Sequence, residues 1–259
     1  MLPERATYLD YSRNNFSSSI PANIGDFLMY TVFFSLASNK LNGSIPDSKC
    51  TEPYLQVLDL SNNSLSGLIP QCLATISGTL AVLNLRRNRL AGSVPDGFPQ
   101  HCSLKTLDLN GNQIDGQFPK SLGNCRMLEV LNIGNNQIRD IYPCLMKQIS
   151  SLRVLVLRSN RFYGHMGCNK TSGTWPNLQI IDIARNNFTG EIPGSFLKTW
   201  KAMMADEDDA ESEANHLRFQ VLKFSQLYFE DAVTVTNKGL EMELVKILFS
   251  PTLTSHATT

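Results

Sequence analysis

The sequence lacks the features that would mark an enzyme, a metalloprotein or a nucleic-acid-binding protein. Its 259 residues carry 23 basic and 23 acidic side chains, so there is no charge excess that would favour nucleic acid or an anionic membrane. The four histidines are scattered and no Cys-x-x-Cys pair occurs, which argues against a metal site. No nucleophile–base pair, carboxylate dyad or phosphate-binding loop stands out. We therefore expect no catalytic residues, no cofactor and no nucleic-acid partner.

Long apolar runs are also absent. No stretch of about 18 apolar residues is present, so this chain is predicted to contain no membrane-spanning segment. The first residues lack the charged start and apolar stretch of a signal peptide. Neither end shows a cap of the kind that a repeat array needs. These features predict an internal piece of a longer protein or a truncated gene product.

What the sequence does contain is an asparagine that recurs every 24 to 26 residues in one apolar frame. Around one of these asparagines the frame reads Leu55-x-x-Leu58-x-Leu60-x-x-Asn63-x-Leu65-x-Gly67-x-Ile69-Pro70, which is a leucine-rich repeat. We number the repeats 1 to 8 after these ladder asparagines, which are Asn14, Asn39, Asn63, Asn88, Asn112, Asn136, Asn160 and Asn186. The predicted fold is an α/β solenoid. It is a right-handed leucine-rich-repeat horseshoe with a parallel concave sheet over residues 6–193, interrupted by a non-repeat island.

Each repeat assigns opposite roles to neighbouring residues. Leu58 and Leu60 point inward from a short strand, whereas Asp59 and Ser61 point outward to the concave face. The side-chain amide of Asn63 turns inward, where it can donate to and accept from loop backbone groups. The loss of such a partner should cost about 1–3 kcal/mol. The ladder asparagines are therefore predicted to be structural.

The outward strand positions form two columns along the concave face. The first polar column reads Asp10, Ser35, Asp59, Asn84, Asp108, Asn132, Val156 and Asp182, and the second reads Ser12, Ala37, Ser61, Arg86, Asn110, Gly134, Arg158 and Ala184. Such a face can bind a protein or peptide through spaced hydrogen bonds, although a solvated sheet face is the alternative. The candidate ligand-binding residues are Asp59, Asn84, Arg86, Asp108, Asn110, Asn132, Arg158 and Asp182.

Six cysteines follow the repeat period. In chain order they form three pairs separated by 22, 23 and 24 residues, which are Cys50 with Cys72, Cys102 with Cys125, and Cys144 with Cys168. Cys144 and Cys168 occupy equivalent positions on neighbouring repeats, which stacking places about 5 Å apart, within the range for a disulfide. The other two pairs are offset by one or two positions, and buried free thiols are the alternative for all six.

Five N-glycosylation sequons also suggest passage through the secretory pathway. They begin at Asn15, Asn42, Asn62, Asn169 and Asn187. Paired cysteines in the same chain strengthen that interpretation. Some sequons can nevertheless arise by chance, because the repeat itself is rich in asparagine, glycine and serine.

The repeat period stops after Pro193. Residues 194–249 contain no ladder asparagine and are predicted to form an island-like segment, and residues 250–259 a disordered tail. Within the island we predict a short helix at 196–204, a mobile acidic run at 206–213 and extended segments at 217–224 and 228–237. A turn is predicted at Lys238 and Gly239, followed by a helical or extended segment at 241–249.

The sequence resembles plant leucine-rich-repeat receptor-like proteins, most specifically Verticillium-wilt resistance proteins. The resemblance lies in Leu65-Ser-Gly67-Leu-Ile69-Pro70, in the runs 155–164 and 178–190, and in the segment 196–203 after the last repeat. It implies a plasma-membrane protein with extracellular repeats that perceives pathogen or developmental signals. It also implies that signalling passes through a receptor-kinase co-receptor.

The resemblance further implies that the island contacts the ligand or the co-receptor. Islands of this family often carry Lys-x5-Tyr and Tyr-x8-Lys-Gly signatures that share one tyrosine. Here Lys223, Lys238 and Gly239 match, but Phe229 stands at the shared position with Tyr228 beside it.

Three alternatives to a receptor remain open. A secreted inhibitor of a hydrolase, similar to plant polygalacturonase inhibitors, would share the repeats but not the island. A non-functional receptor fragment or a secreted decoy would explain the missing anchor. An enzyme is the least favoured, because no catalytic constellation is visible.

Overall fold

The computed structural model describes residues 5–47, 53–168 and 174–192, the single residues 194, 200 and 203, and the backbone of short strands between 223 and 245. The chain divides into two compact units, residues 1–204 and 205–259. Most of the helix predicted at 196–204, the acidic run and the predicted disordered tail at 250–259 lie outside the described residues.

The first unit contains a parallel sheet with one strand from each repeat, which we call the main sheet. The spatial order of its strands follows the chain. Neighbouring strands are in register, so that Leu107, Leu131 and Leu155 lie side by side. The predicted leucine-rich-repeat solenoid is therefore confirmed. The eight strands are Tyr8–Asp10, Phe33–Ser35, Val57–Asp59, Val82–Asn84, Thr106–Asp108, Val130–Asn132, Val154–Val156 and Ile180–Asp182.

A second set of short strands follows the ladder asparagines, and we call them the secondary strands. They pair in parallel within smaller sheets, and Gly67, Gly92 and Gly116 supply the positive φ angles of these segments. The secondary strands are Ser17–Ser19, Lys40–Asn42, Ser66–Leu68, Arg89–Ser93, Gln113–Asp115, Tyr163–His165 and Asn187–Thr189.

The chain then returns to the main sheet through a stretch that lies between each secondary strand and the next main-sheet strand, and we call these stretches the returning segments. Several of them contain a short helix. One is an α-helix, Cys72–Thr75. The others are 3₁₀ helices at Ile24–Phe27, Ile76–Gly78, Lys120–Asn124 and Cys144–Gln148. Such short tight turns let each repeat close within about 24 residues.

The core of the first unit is one continuous apolar cluster built from the inward positions of successive repeats. Leu131 and Leu155 are fully buried in it. Aromatic residues fill the later repeats, where the ring centroids of Tyr142 and Trp175 lie 6.3 Å apart. The indole N–H of Trp175 donates a 2.7 Å hydrogen bond to the carbonyl oxygen of Met146 in the preceding repeat. Polar atoms of this core are thus used to join repeats.

Disulfides join the returning segments of neighbouring repeats. Cys102 is bonded to Cys125 and Cys144 to Cys168, with Cα–Cα distances of 4.6 Å and 5.4 Å. Cys72 is also disulfide-bonded, and its expected partner, Cys50, lies outside the described residues. Each bond restricts the unfolded chain over roughly one repeat.

The second unit contains antiparallel strands. Lys223–Phe224 pairs with Leu227–Tyr228, and Ala232–Asn237 pairs with Leu240–Val245. Residues 240–245 are therefore extended. Of the two alternatives predicted for 241–249, the extended one is correct for residues 241–245. Residues 217–222 lie outside the described residues.

Candidate functional site

The ladder asparagines clamp each repeat to the one before it. In repeat 6, the Asn136 amide donates to the carbonyl oxygen of Leu109 at 3.0 Å and accepts from the N–H of Ile114 at 3.1 Å. The same two bonds to the preceding repeat recur at all ladder positions except Asn14. Asn14 bonds only to Tyr11 and Ser12 in its own repeat. This clamp holds the strands of the main sheet at a constant spacing.

The first polar column also bonds to the backbone, which the sequence did not predict. The carboxylate of Asp59 accepts a hydrogen bond from the N–H of Ser61 at 2.9 Å, and Asp108 accepts one from the N–H of Asn110 at 2.9 Å. The equivalent bond is present in seven of the eight repeats. Val156 in repeat 7 has no side-chain acceptor. One oxygen of each polar side chain is thus used for the turn, which orients the remainder of the group.

The residue between the second polar column and the ladder asparagine is left-handed in every repeat, and we call these positions the left-handed column. Their φ angles lie between 52° and 71°, although only one of them is glycine. The column consists of Arg13, Ser38, Asn62, Arg87, Gly111, Asn135, Ser159 and Arg185. This conformation turns the following asparagine into the core, and its side chains border the main-sheet face. The arginines Arg13, Arg87 and Arg185 are exposed.

The predicted ligand-binding residues are packed closely in the middle repeats. Asn110 donates to the Asn132 amide oxygen at 3.3 Å, and Asn132 donates to the Asp108 carboxylate at 3.4 Å. These three side chains are buried, as are Asn84 and Arg86. Asn110, Asn132 and Asp108 thus form a connected network whose geometry is set before any ligand binds.

The predicted residues of repeats 3, 7 and 8 are more accessible. Asp59, Arg158 and Asp182 are half-buried. The guanidinium of Arg158 lies 3.4 Å from the carboxylate of Asp182, where each side chain keeps about one-seventh of its surface accessible. This pair places opposite charges side by side at the C-terminal end of the sheet.

The predicted island residues are only partly described. Lys223 and Tyr228 are register partners in an antiparallel strand pair, so their backbones lie opposite each other. Phe229, Lys238 and Gly239 lie outside the described residues. Their role in contacting a ligand or co-receptor stays a prediction.

Sequence reasoning missed the left-handed column. The alternation of a strand accounts for the first and second polar columns but ends before the residue that precedes each ladder asparagine. A signal was nevertheless present, because Arg13, Arg87 and Arg185 all occupy that one position.

Two kinds of site are absent from the described part of the chain. It contains no group of three or more histidine, cysteine, aspartate or glutamate side chains arranged to hold a metal ion. Within the same residues, no helix is long and apolar enough to cross a membrane.

Comparison with known proteins agrees with this architecture. The family model described as "Leucine rich repeat" matches residues 53–114 and 102–162, and a second repeat model matches residues 177–198. Receptor-like protein 48 of Arabidopsis thaliana is 40% identical over 121 residues, which are 47% of this chain and 14% of that protein. The chain therefore spans a small part of the length of the curated relatives it matches.

Two solved structures show the same fold. The ectodomain of the Arabidopsis thaliana receptor kinase GASSHO1/SCHENGEN3, in complex with Casparian strip integrity factor 2, has a TM-score of 0.68 and 27% identity over 75% of this chain and 23% of that one. The Arabidopsis receptor kinase HAESA, in complex with the peptide hormone IDA and the co-receptor SERK1, has a TM-score of 0.65 and 29% identity over 73% of this chain and 31% of that one.

The fold and the asparagine ladder define a leucine-rich-repeat solenoid. The two repeat models together match residues 53–162 and 177–198, so the chain belongs to the leucine-rich-repeat proteins, and within that class it is similar to the plant receptor-like proteins. The narrower resemblance to Verticillium-wilt resistance proteins stays a prediction.

Proposed function

We propose that this chain is a non-catalytic ligand-recognition module of a plant receptor-like protein. It acts on the extracellular side of the plasma membrane, in defence or developmental signalling. It binds a protein or peptide ligand on the main-sheet face and signals through a receptor-kinase co-receptor. The relatives are receptor-like proteins. Of the similar solved structures, one receptor kinase is in complex with Casparian strip integrity factor 2 and another with a peptide hormone and a co-receptor.

The observation that carries the proposal is the repeated anchoring of the first polar column. Because side chains such as Asp59 and Asp182 bond to their own turn, they hold their orientation without a ligand. Less conformational entropy is then lost when a ligand binds. A sheet face with such oriented groups at every repeat suits an extended polypeptide.

The exposed arginines of the left-handed column indicate the chemistry of that ligand. Arg87 and Arg185 can only donate hydrogen bonds, and the guanidinium group matches a carboxylate in geometry and charge. A ligand with acidic side chains therefore fits this border of the face. Asp59, Arg158 and Asp182 would supply the polar contacts within it.

A binding experiment tests the proposal. The purified chain is presented to receptor-kinase ectodomains of the SERK1 type with a pool of secreted plant peptides, and separately to fungal polygalacturonases. We expect a ligand-dependent complex with a kinase ectodomain, weakened at least tenfold by the double change Arg87→Glu and Arg185→Glu. Charge reversal at a ligand-facing position costs more than about 1.4 kcal/mol, the equivalent of tenfold in affinity.

Arg126→Glu is the matched control, because Arg126 is an exposed arginine on a returning segment. It should leave binding unchanged. Inhibition of a polygalacturonase without kinase binding would favour the hydrolase-inhibitor alternative. Failure to bind either class would contradict the receptor proposal.

A further inference from the structure

An exposed aromatic side chain lies beside one of the sequons. Tyr163, in the secondary strand of repeat 7, keeps 42% of its surface exposed, and Ile141, which forms a bridge with it from repeat 6, keeps 58%. The guanidinium of Arg139, also in repeat 6, lies over the Tyr163 ring, 5.8 Å from its centroid. Because that cation comes from repeat 6, the opposite face of the ring is turned toward repeat 8.

Asn187 occupies the position in repeat 8 that faces this ring. It is the register partner of Tyr163 in the parallel secondary sheet, so the two side chains leave the sheet on the same face, about 4.8 Å apart along it. Asn187 and Thr189, the two defining residues of the sequon, are exposed. Within the described part of the chain the Asn187 side-chain amide makes no hydrogen bond.

We propose that Asn187 carries an N-linked glycan whose first N-acetylglucosamine packs on the free face of the Tyr163 ring. The apolar face of a pyranose ring presents C–H groups, which pack favourably against an aromatic π face. The covering sugar would account for the exposure of Tyr163. The inference rests on the extracellular location in the proposed function, because the modification occurs in the secretory pathway.

The transfer uses an N-acetylglucosamine-containing oligosaccharide carried on a lipid diphosphate. The amide nitrogen of Asn187 attacks the anomeric carbon of the first sugar, and a nitrogen–carbon bond forms. The bond from that carbon to the diphosphate oxygen breaks, and the lipid diphosphate leaves with the electron pair. One amide proton passes to a base of the transferase.

The sequons at Asn42 and Asn62 differ from the one at Asn187. Asn15 and Asn42 are exposed, but Asn42 has Ser19 as its register partner and therefore no aromatic support on that side. Asn62 belongs to the left-handed column, is half-buried, and donates its amide to the hydroxyl of Ser38 at 3.3 Å. A glycan on Asn62 would have to displace that hydrogen bond. Asn169 lies outside the described residues.

The test expresses the full chain with an added secretory leader in cells restricted to high-mannose glycans. Enzymatic release of glycans in ¹⁸O-labelled water, followed by peptide mass mapping, should label Asn187. Thr189→Ala removes only this sequon. We expect it to lower the thermal midpoint by about 2 °C when Tyr163 is present and to have no effect in a Tyr163→Ala background.

Trimming with an endoglycosidase that leaves the first sugar should preserve the midpoint, because only that sugar contacts the ring. Asn187→Gln, a second way to remove the sequon, should reproduce the effect of Thr189→Ala. Ser44→Ala is the matched control, since it removes the Asn42 sequon without changing a Tyr163 contact. Its effect on the midpoint should not depend on Tyr163.

Two results would overturn the inference. One is an unmodified Asn187 in the secreted protein. The other is an occupied Asn187 whose removal changes the midpoint equally with tyrosine or alanine at 163. Neither result bears on ligand binding, which the co-receptor assay measures separately.

Discussion

Single side chains carry the connections between repeats. The Asn136 amide bonds to Leu109 and Ile114 of repeat 5, and within its own repeat it also donates to the carbonyl oxygens of Ile133 and Gly134. No apolar side chain can satisfy these backbone groups, which turn inward where water is excluded. The repeated asparagine is thus required by the buried backbone.

The hydrogen bonds of the ladder asparagines predict that Asn136 contributes more to the free energy of unfolding than Asn14. Asn136→Ala should lower the free energy of unfolding by about 1–3 kcal/mol, because buried backbone groups of two repeats lose their partners. Urea denaturation followed by circular dichroism measures the change.

Asn14→Ala is the matched control. Asn14 is exposed and bonds only within repeat 1, so its replacement should cost less than about 1 kcal/mol. Equal losses at the two positions would show that the contacts between repeats contribute nothing.

At the scale of elements, a carboxylate connects the returning segments of repeats 4 and 5. Asp96 accepts hydrogen bonds from the backbone N–H and the hydroxyl of Ser121 at the start of the 3₁₀ helix Lys120–Asn124. The Ser121 hydroxyl in turn accepts from the N–H groups of Gly97 and Phe98. The hydroxyl bond from Ser121, opposed by partial desolvation, lowers the pKa of Asp96 below its ordinary 3.8.

The lowered pKa of Asp96 implies that the stability of the fold depends on pH. Because the folded pKa is depressed, the stabilisation is present above about pH 4 and is lost as the pH falls through the folded pKa. Asp96→Asn should therefore lower the thermal midpoint at pH 7, and the difference from the parent chain should shrink toward pH 2. Scanning calorimetry over this range measures it.

Asp115→Asn serves as the comparison, since Asp115 is exposed and its carboxylate makes no hydrogen bond within the described residues. Its midpoint should follow the parent chain at every pH. A difference for Asp96→Asn that stays constant down to pH 2 would exclude the proposed charge effect.

For the first unit as a whole, stability is expected to depend on neighbouring repeats. Leu131 is fully buried in the middle of the main sheet, between Leu107 and Leu155. Leu9 is buried in repeat 1 and lies beside Phe34 of repeat 2. In a solenoid the free energy is approximately a sum of terms within repeats and between neighbours.

Leu131→Ala should therefore cost about 2–5 kcal/mol, and Leu9→Ala less, since contacts are lost to one flanking repeat instead of two. Denaturant unfolding gives both values. Hydrogen exchange of the main-sheet amides shows which repeats lose local stability in each variant. A larger cost at Leu9 would contradict stabilisation by neighbouring repeats.

The fold was predictable because its signal is repeated eight times. The spacing of the ladder asparagines predicted one strand per repeat in a parallel sheet, and the structure confirms that sheet. The hydrogen bonds of the candidate site were harder to predict from the sequence. Alternation predicted that Asp108 and Asn132 leave the sheet on one face, but not that both bond to their own turns.

The sequence by itself determined the repeat period, the inward leucines and the asparagine in each turn, because each is a local requirement of a chain that closes every 24 to 26 residues. Only the tertiary structure decided which side chains meet across repeats. Tyr163 becomes the neighbour of Asn187, although they are 24 residues apart, through the register of two secondary strands. Register depends on how whole repeats stack, and no single repeat contains that information.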